Sequence, residues 1–160
     1  MKIIKWLGVI FWGMIGFLVL WFIYCELNKA YWDYQVKKMC KKDGGVTVFE
    51  RIDISKKEYP KIFSNLGKMK LPNRWSDKNK FPYFYKNNTE NIKLGKLSVK
   101  KHLYKIINRK TKKIITKSIS YSRIGGDFPI LVQHPSSFSC EKIKGLKTLS
   151  SIDSTFIIKE

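Results

Sequence analysis

Between Ser118 and Cys140 the chain reads SISYSRIGGDFPILVQHPSSFSC, its densest set of groups that could do chemistry. Asp127, His134 and either Ser136 or Ser137 are the residue types of an acid, a base and a nucleophile. A hydrolase using His134 and Asp127 would need the imidazole within hydrogen-bond reach of a serine hydroxyl, with the carboxylate orienting it from behind. Neither serine sits in a Gly-x-Ser-x-Gly elbow. The competing reading is a structural loop. Arg123 ends a strand, Gly125 and Gly126 make a tight turn, and Asp127, Ser136 and Ser137 satisfy backbone donors. Pro129 and Pro135 stiffen the segment, and Cys140 pins its end. These residues form the candidate functional loop, and no residue is assigned a catalytic role.

Other chemistry finds less support. Cys40-Lys41-Lys42-Asp43-Gly44-Gly45 lacks the Lys-Ser/Thr ending of a phosphate-binding loop and precedes a strand rather than a helix. His102 and His134 are far apart in the chain and there is no Cys-x-x-Cys pair, so no metal site or cofactor is expected. The three cysteines are Cys25, Cys40 and Cys140. In the chain-entropy model a bridge closing a loop of about 100 residues contributes about 4.7 kcal/mol, so Cys40 and Cys140 could close the domain with one bond. They could equally be two small buried hydrophobes. A bridge would require an oxidising compartment, here the periplasm or exterior.

The elements that must position these groups begin with an anchor. Trp6 to Tyr24 is a run of 19 residues without a charge, WLGVIFWGMIGFLVLWFIY. As a helix it spans about 28 Å, close to the hydrocarbon thickness of a bilayer. Trp6, Trp21 and Tyr24 stand where interfacial aromatics are favoured. A cleaved signal peptide would want a shorter apolar region and small residues before the cut, whereas Phe22, Ile23 and Tyr24 precede Cys25. Lys2, Lys5 and the amino terminus favour a cytoplasmic N-terminus, while Lys29, Lys37 and Lys38 pull the other way. Charge alone leaves the orientation nearly tied.

Glu26 to Lys42 continues the helix until Gly44 and Gly45 stop it. Val46 to Ser55 alternates like one strand with a mainly apolar face. Lys56 to Gly67 reads as a short helix or turn broken at Pro60, and Lys68 to Lys80, with Pro72, as loop. Phe81 to Tyr85 is a short edge strand, and Asn87, Asn88 and Asn91 mark a turn. Leu94 to Asn108 and Lys113 to Ile124 make a hairpin around Arg109-Lys110-Thr111-Lys112. Thr148 to Ile158 supplies a closing strand. The expected fold is α+β, an N-terminal transmembrane helix followed by a small, mainly antiparallel β-sheet domain. Its parts are a tail (1–5), the membrane helix (6–24), a juxtamembrane helix (25–42) and the domain (43–160).

The charge says less than its size suggests. Lys and Arg number 32 against 12 Asp and Glu, a formal net charge of +20. Of the 32 bases 28 are Lys and four are Arg, whereas nucleic-acid readers favour the planar Arg fork. Twenty Ile and eight Asn beside a single Ala fit an AT-rich codon supply. Nucleic acid is therefore not the expected partner. A cytoplasm-facing binder of polyanions, nucleic acid or anionic lipid, is the alternative that the lysines keep open.

DGGVTVFE at Asp43 to Glu50, SYSRIGGDFP at Ser120 to Pro129 and HPSSFSC at His134 to Cys140 resemble a group of small uncharacterised proteobacterial envelope proteins. Members begin with an apolar export or anchor segment and share a Cys-x-x-Asp-Gly-Gly-Val start and a His-Pro-Ser-Ser-Phe-x-Cys end. The resemblance covers roughly Val36 to Cys140, except that Lys56 to Lys80 carries no matching motif. It implies an exported domain with Cys40 bonded to Cys140 and brings no activity. The sequence thus leads to a single-pass inner-membrane protein with its C-terminal domain in the periplasm. Its expected role is binding or structural support in the cell envelope. The partners implied are the lipid bilayer and an envelope protein; no oligomeric state follows.

Overall fold

The structure, a computed structural model, describes residues 2–55, 82–129, 134–146 and 155–159. The segments expected as helix and loop at Lys56–Gly67 and Lys68–Lys80 lie outside the described residues.

One helix, α1, runs unbroken from Lys2 to Asp43, 42 residues and about 63 Å. The apolar run supplies its first half. The second half stays helical because no proline interrupts it and Trp32, Val36, Met39 and Cys40, at helical spacing, have a sheet to pack on. The Gly44 N–H closes the last turn on the Cys40 carbonyl at 3.0 Å. Lys41 and Lys42 lie at the helix's negative end, where cations are favoured.

Seven strands follow: β1 (Gly45–Val48), β2 (Ile52–Ser55), β3 (Tyr83–Lys93), β4 (Leu97–Asn108), β5 (Ile114–Gly125), β6 (Ser137–Ser139) and β7 (Phe156–Lys159). A 3-10 turn at Cys140–Lys142 follows β6. The larger sheet is antiparallel throughout, in the order β1-β5-β4-β3, with β6 pairing the far half of β5. β2 and β7 form a separate parallel pair. The fold is α+β, as the sequence implies.

Two local expectations are corrected. Val46–Ser55 is not one strand. Its chain bends at Phe49–Arg51, where the Phe49 and Glu50 N–H groups both bond the Ile115 carbonyl, and its halves join different sheets. Asn87, Asn88 and Asn91 are not a turn but lie inside β3, because pairing with β4 outweighs their turn preference. The reversal falls instead at Leu94–Lys96. In the closing segment, β7 covers only Phe156–Lys159, and residues 147–154 lie outside the described residues.

The long β4–β5 hairpin forms as expected, its turn closed by Asn108, whose side-chain oxygen accepts the N–H groups of Lys110 (2.9 Å) and Thr111 (3.2 Å). Two bulges interrupt the ladders. Ile107 pairs Ile114 and Ile106 pairs Thr116, leaving Ile115 as the extra residue of β5. Lys93 pairs Val99 and Asn91 pairs Lys100, leaving Ile92 extra on β3. The buried apolar residues fall into two clusters. Val36, Cys40, Leu97, Val99, Tyr121 and Cys140 join α1 to the sheet. Ile52, Ile54, Ile106, Ile115 and Phe156 pack toward the Arg109–Lys113 end of the hairpin.

Candidate functional site

Cys40 and Cys140 are joined by a disulfide, with Sγ atoms 2.02 Å apart, across 100 residues of chain. Both are fully buried, and the Tyr121 N–H points at the Cys140 Sγ at 3.1 Å. Cys25 is free and buried. The bond ties the last turn of α1 to the end of the candidate loop, and it fixes how β5 descends along the helix.

That descent is marked by four contacts. The Tyr121 hydroxyl donates to Asp43 Oδ2 at 2.7 Å, and burial together with this bond pushes the phenol well above its ordinary pKa. Lower on β5, Arg123 meets Asp33, with Nε 2.5 Å from Oδ1 and Nη2 3.4 Å from Oδ2. Below it, Lys29 Nζ lies 3.3 Å from Asp127 Oδ1 and 2.6 Å from Glu26. Finally Phe128 stacks edge-on against Trp21 and Phe22, its ring centroid 5.5 and 5.8 Å from theirs.

Arg123 is the hub. It is 2% exposed, and its Nη1 donates to the Gly125 carbonyl and to Ser136 Oγ (3.1 Å). Such a buried cation is tolerable only when its donors are taken, and here Asp33 and the loop backbone take them. Gly125 and Gly126 are glycine for a stated reason. Their φ angles are +80° and +90°, and a Cβ would lie 2.2 Å from the Lys96 carbonyl oxygen at the first and 2.6 Å from Leu97 Cδ1 at the second. Asp127 Oδ2 accepts the Ser136 N–H at 2.6 Å. Burial alone would raise the Asp127 carboxyl; the Ser136 and Lys29 bonds outweigh it and hold it below its ordinary value.

Of the loop residues, Arg123, Gly125, Asp127 and Ser136 are thus brought together. His134 and Ser137 are exposed; Ser137 pairs with Ile124 as the first residue of β6, and its carbonyl accepts Lys142 Nζ at 2.5 Å. Asp127 is held by the Ser136 backbone and Lys29, not by an imidazole. The arrangement is a latch. His102 is elsewhere, bridging Thr89 Oγ1 (3.2 Å) and Ser122 Oγ (3.0 Å) across three strands, with its pKa lowered by burial and by Lys100. Among the described residues no group of three or more His, Cys, Asp or Glu could hold a metal.

Beside the latch lies a feature the sequence did not point to. An open groove of about 710 Å³ runs between α1 and the β6–turn segment, walled by Tyr34, Phe138 and Ile143 with Asp33 at one end. Lys37 and Lys41 line it from the helix, Lys142 and Lys144 from the turn. Among the described residues no carboxylate pairs with these four ammonium groups. The i,i+4 spacing of Lys37 and Lys41 was legible as one helix face. Their convergence with Lys142 and Lys144 follows only from the Cys40–Cys140 bond, one residue from Lys41 and two from Lys142. No protein-family profile, curated protein or solved structure matches this chain.

Proposed function

We propose that the chain is a single-pass inner-membrane protein whose C-terminal domain stands in the periplasm. There it acts by binding, or as a structural accessory, in the cell envelope, like the envelope group that its end motifs resemble. The membrane part rests on α1: its 18-residue apolar window is wholly unburied, with Trp6 to Tyr24 offering large hydrophobic side chains on every side. The observation that carries the outward orientation is the buried Cys40–Cys140 disulfide, since such a bond persists in oxidising compartments. The amino terminus, with its two lysines at positions 2 and 5, is then cytoplasmic, as the positive-inside rule favours.

The binding role takes its surface from the four-lysine groove, whose charge complements an acidic segment of an envelope partner. The hydrolase reading loses support because Asp127 is committed to the loop backbone and to Lys29.

Acid-quenched cells, alkylated with a mass-tagged maleimide before and after reduction, test the orientation. Cys40 and Cys140 should gain two tags only after reduction, and Thr111→Cys, at the exposed hairpin turn, should label in intact cells with an impermeant maleimide. Free thiols, with Thr111→Cys labelled only after cells are opened, would put the domain in the cytoplasm. The polyanion reading would then lead, and it predicts binding that weakens steeply with salt.

A further inference from the structure

We propose that the domain has a second contact with the bilayer: the β3–β4 turn, Ile92 to Lys96, dips into the interface of the same membrane that α1 spans. This rests on the anchor reading and goes beyond it. Topology places the turn. β5 runs down α1 through Tyr121–Asp43, Arg123–Asp33 and Asp127–Lys29 to Phe128, which rests on Trp21 and Phe22 inside the apolar span. β4 is antiparallel to β5, and Leu97 pairs with Gly125, so β4 begins at the membrane-proximal end. The Gly126 N–H bonds the Lys96 carbonyl at 3.2 Å. Leu94 and Gly95, the apex, therefore extend past the level of Gly126. Asp127 marks that level, because it shares the Lys29 ammonium with Glu26, two residues beyond Tyr24.

The side chains at this apex suit an interface and not water. Leu94 is 71% exposed and Ile92 45%. Ile92 is the bulged residue of an edge strand, and bulges re-aim side chains. Lysines flank both. Lys93 lies over the Trp32 ring, 4.5 Å from its centroid, which fixes the turn against the helix, and Lys96 is exposed. Apolar tips between lysines match a bilayer with anionic headgroups, the apolar groups entering the acyl boundary while the ammonium groups stay with the phosphates. Phe128, two residues beyond Gly126, already meets the span through Trp21 and Phe22. At the opposite end of β4, Lys110, Thr111 and Lys112 form the polar turn into β5, as expected of the end that faces water.

The test uses the full chain with Cys25→Ser, reconstituted in vesicles of phosphatidylethanolamine and phosphatidylglycerol. An NBD fluorophore is attached at Leu94→Cys or, as the water-facing control, at Thr111→Cys. Both positions are exposed, so the fold tolerates the label. At position 94 the emission should shift to the blue and most of it should be lost when doxyl-labelled lipid is included; at 111 neither should occur. Lys96→Glu should weaken the quenching at 94. Protein that floats with the vesicles yet shows water-like emission at 94 overturns this proposal and leaves the anchor standing. Protein that fails to float overturns the anchor and the proposal with it. A blue shift without lipid quenching, fading as protein is diluted in lipid, would assign the turn to a second copy and overturn the proposal as well.

Discussion

The two buried clusters of this domain are held in different ways. The cluster at the hairpin's outer end is apolar side chains from β2, β4, β5 and β7, and the Thr116 Oγ1–Thr155 Oγ1 bond at 2.8 Å lies among them. It depends on close packing. The cluster under α1 holds fewer large aliphatic groups and adds a disulfide, the Arg123–Asp33 pair and the Asp127–Ser136 bond. Packing a sheet on itself is reinforced by ladder hydrogen bonds, whereas a helix, its backbone bonds satisfied internally, must be fastened to the sheet by side chains. On the helix side, covalent and ionic links stand where the backbone offers none.

The largest expected effect breaks the helix-side cluster. Cys40→Ser with Cys140→Ser should cost about 4.7 kcal/mol of domain stability, the value for closing a loop of about 100 residues. Denaturant unfolding of the domain in detergent measures it. Amide exchange should rise first along β6 and the last turns of α1, while β2 and β7 stay protected. Uniform loss of protection would show that the two clusters are one cooperative unit.

Next in size, Ile115→Ala should cost about 3 kcal/mol, since it empties a fully buried site in the outer cluster. Its cost should be the same in oxidised and reduced protein, because distant sites add. A strong dependence on the disulfide would abolish the distinction drawn between the clusters.

Asp33→Asn should cost about 2 kcal/mol, less than breaking a fully buried pair because Asp33 is only half-buried. The loosening should be seen by amide exchange at 125–136 and by a change in Trp21 emission as Phe128 shifts. Arg123→Met, which removes the buried charge itself, should be milder in stability yet equally disruptive to the loop.

The smallest effect is acid sensitivity. The His102 pKa is lowered in the fold, so the folded state binds fewer protons than the unfolded chain, and stability should fall as pH drops through and below 6.5. Asp127 is held below its usual 3.8, so its contribution is intact above that value and lost as pH falls through the depressed folded pKa. His102→Asn should flatten the first slope and leave the second.

Particular residues show where sequence reasoning stopped. Trp6 to Tyr24 announces a helix long and apolar enough to cross a membrane because hydrophobicity and length are local properties, and the Leu97–Asn108 and Ile114–Gly125 hairpin was readable because its turn is local too. The glycines at 125 and 126 were legible as a turn, though not the Lys96 carbonyl that requires them. Asp33 and Lys29 gave no sign that they would hold Arg123 and Asp127, about 90 residues and more away. The asparagines of β3 misled, since pairing with β4 is decided across the sheet.

What the chain alone determined is an N-terminal helix long and apolar enough to cross a membrane, its α+β class and the presence of a polar loop ending in Cys140. Tertiary structure decided the rest: that this loop is a latch, that four lysines share one groove, and that Leu94 lies at the end of the sheet where Phe128 meets Trp21 and Phe22. The physical reason is range. Hydropathy and turn preference act over a few neighbouring residues, but an ion pair, a disulfide and a converging charge patch exist only after distant segments have been brought together.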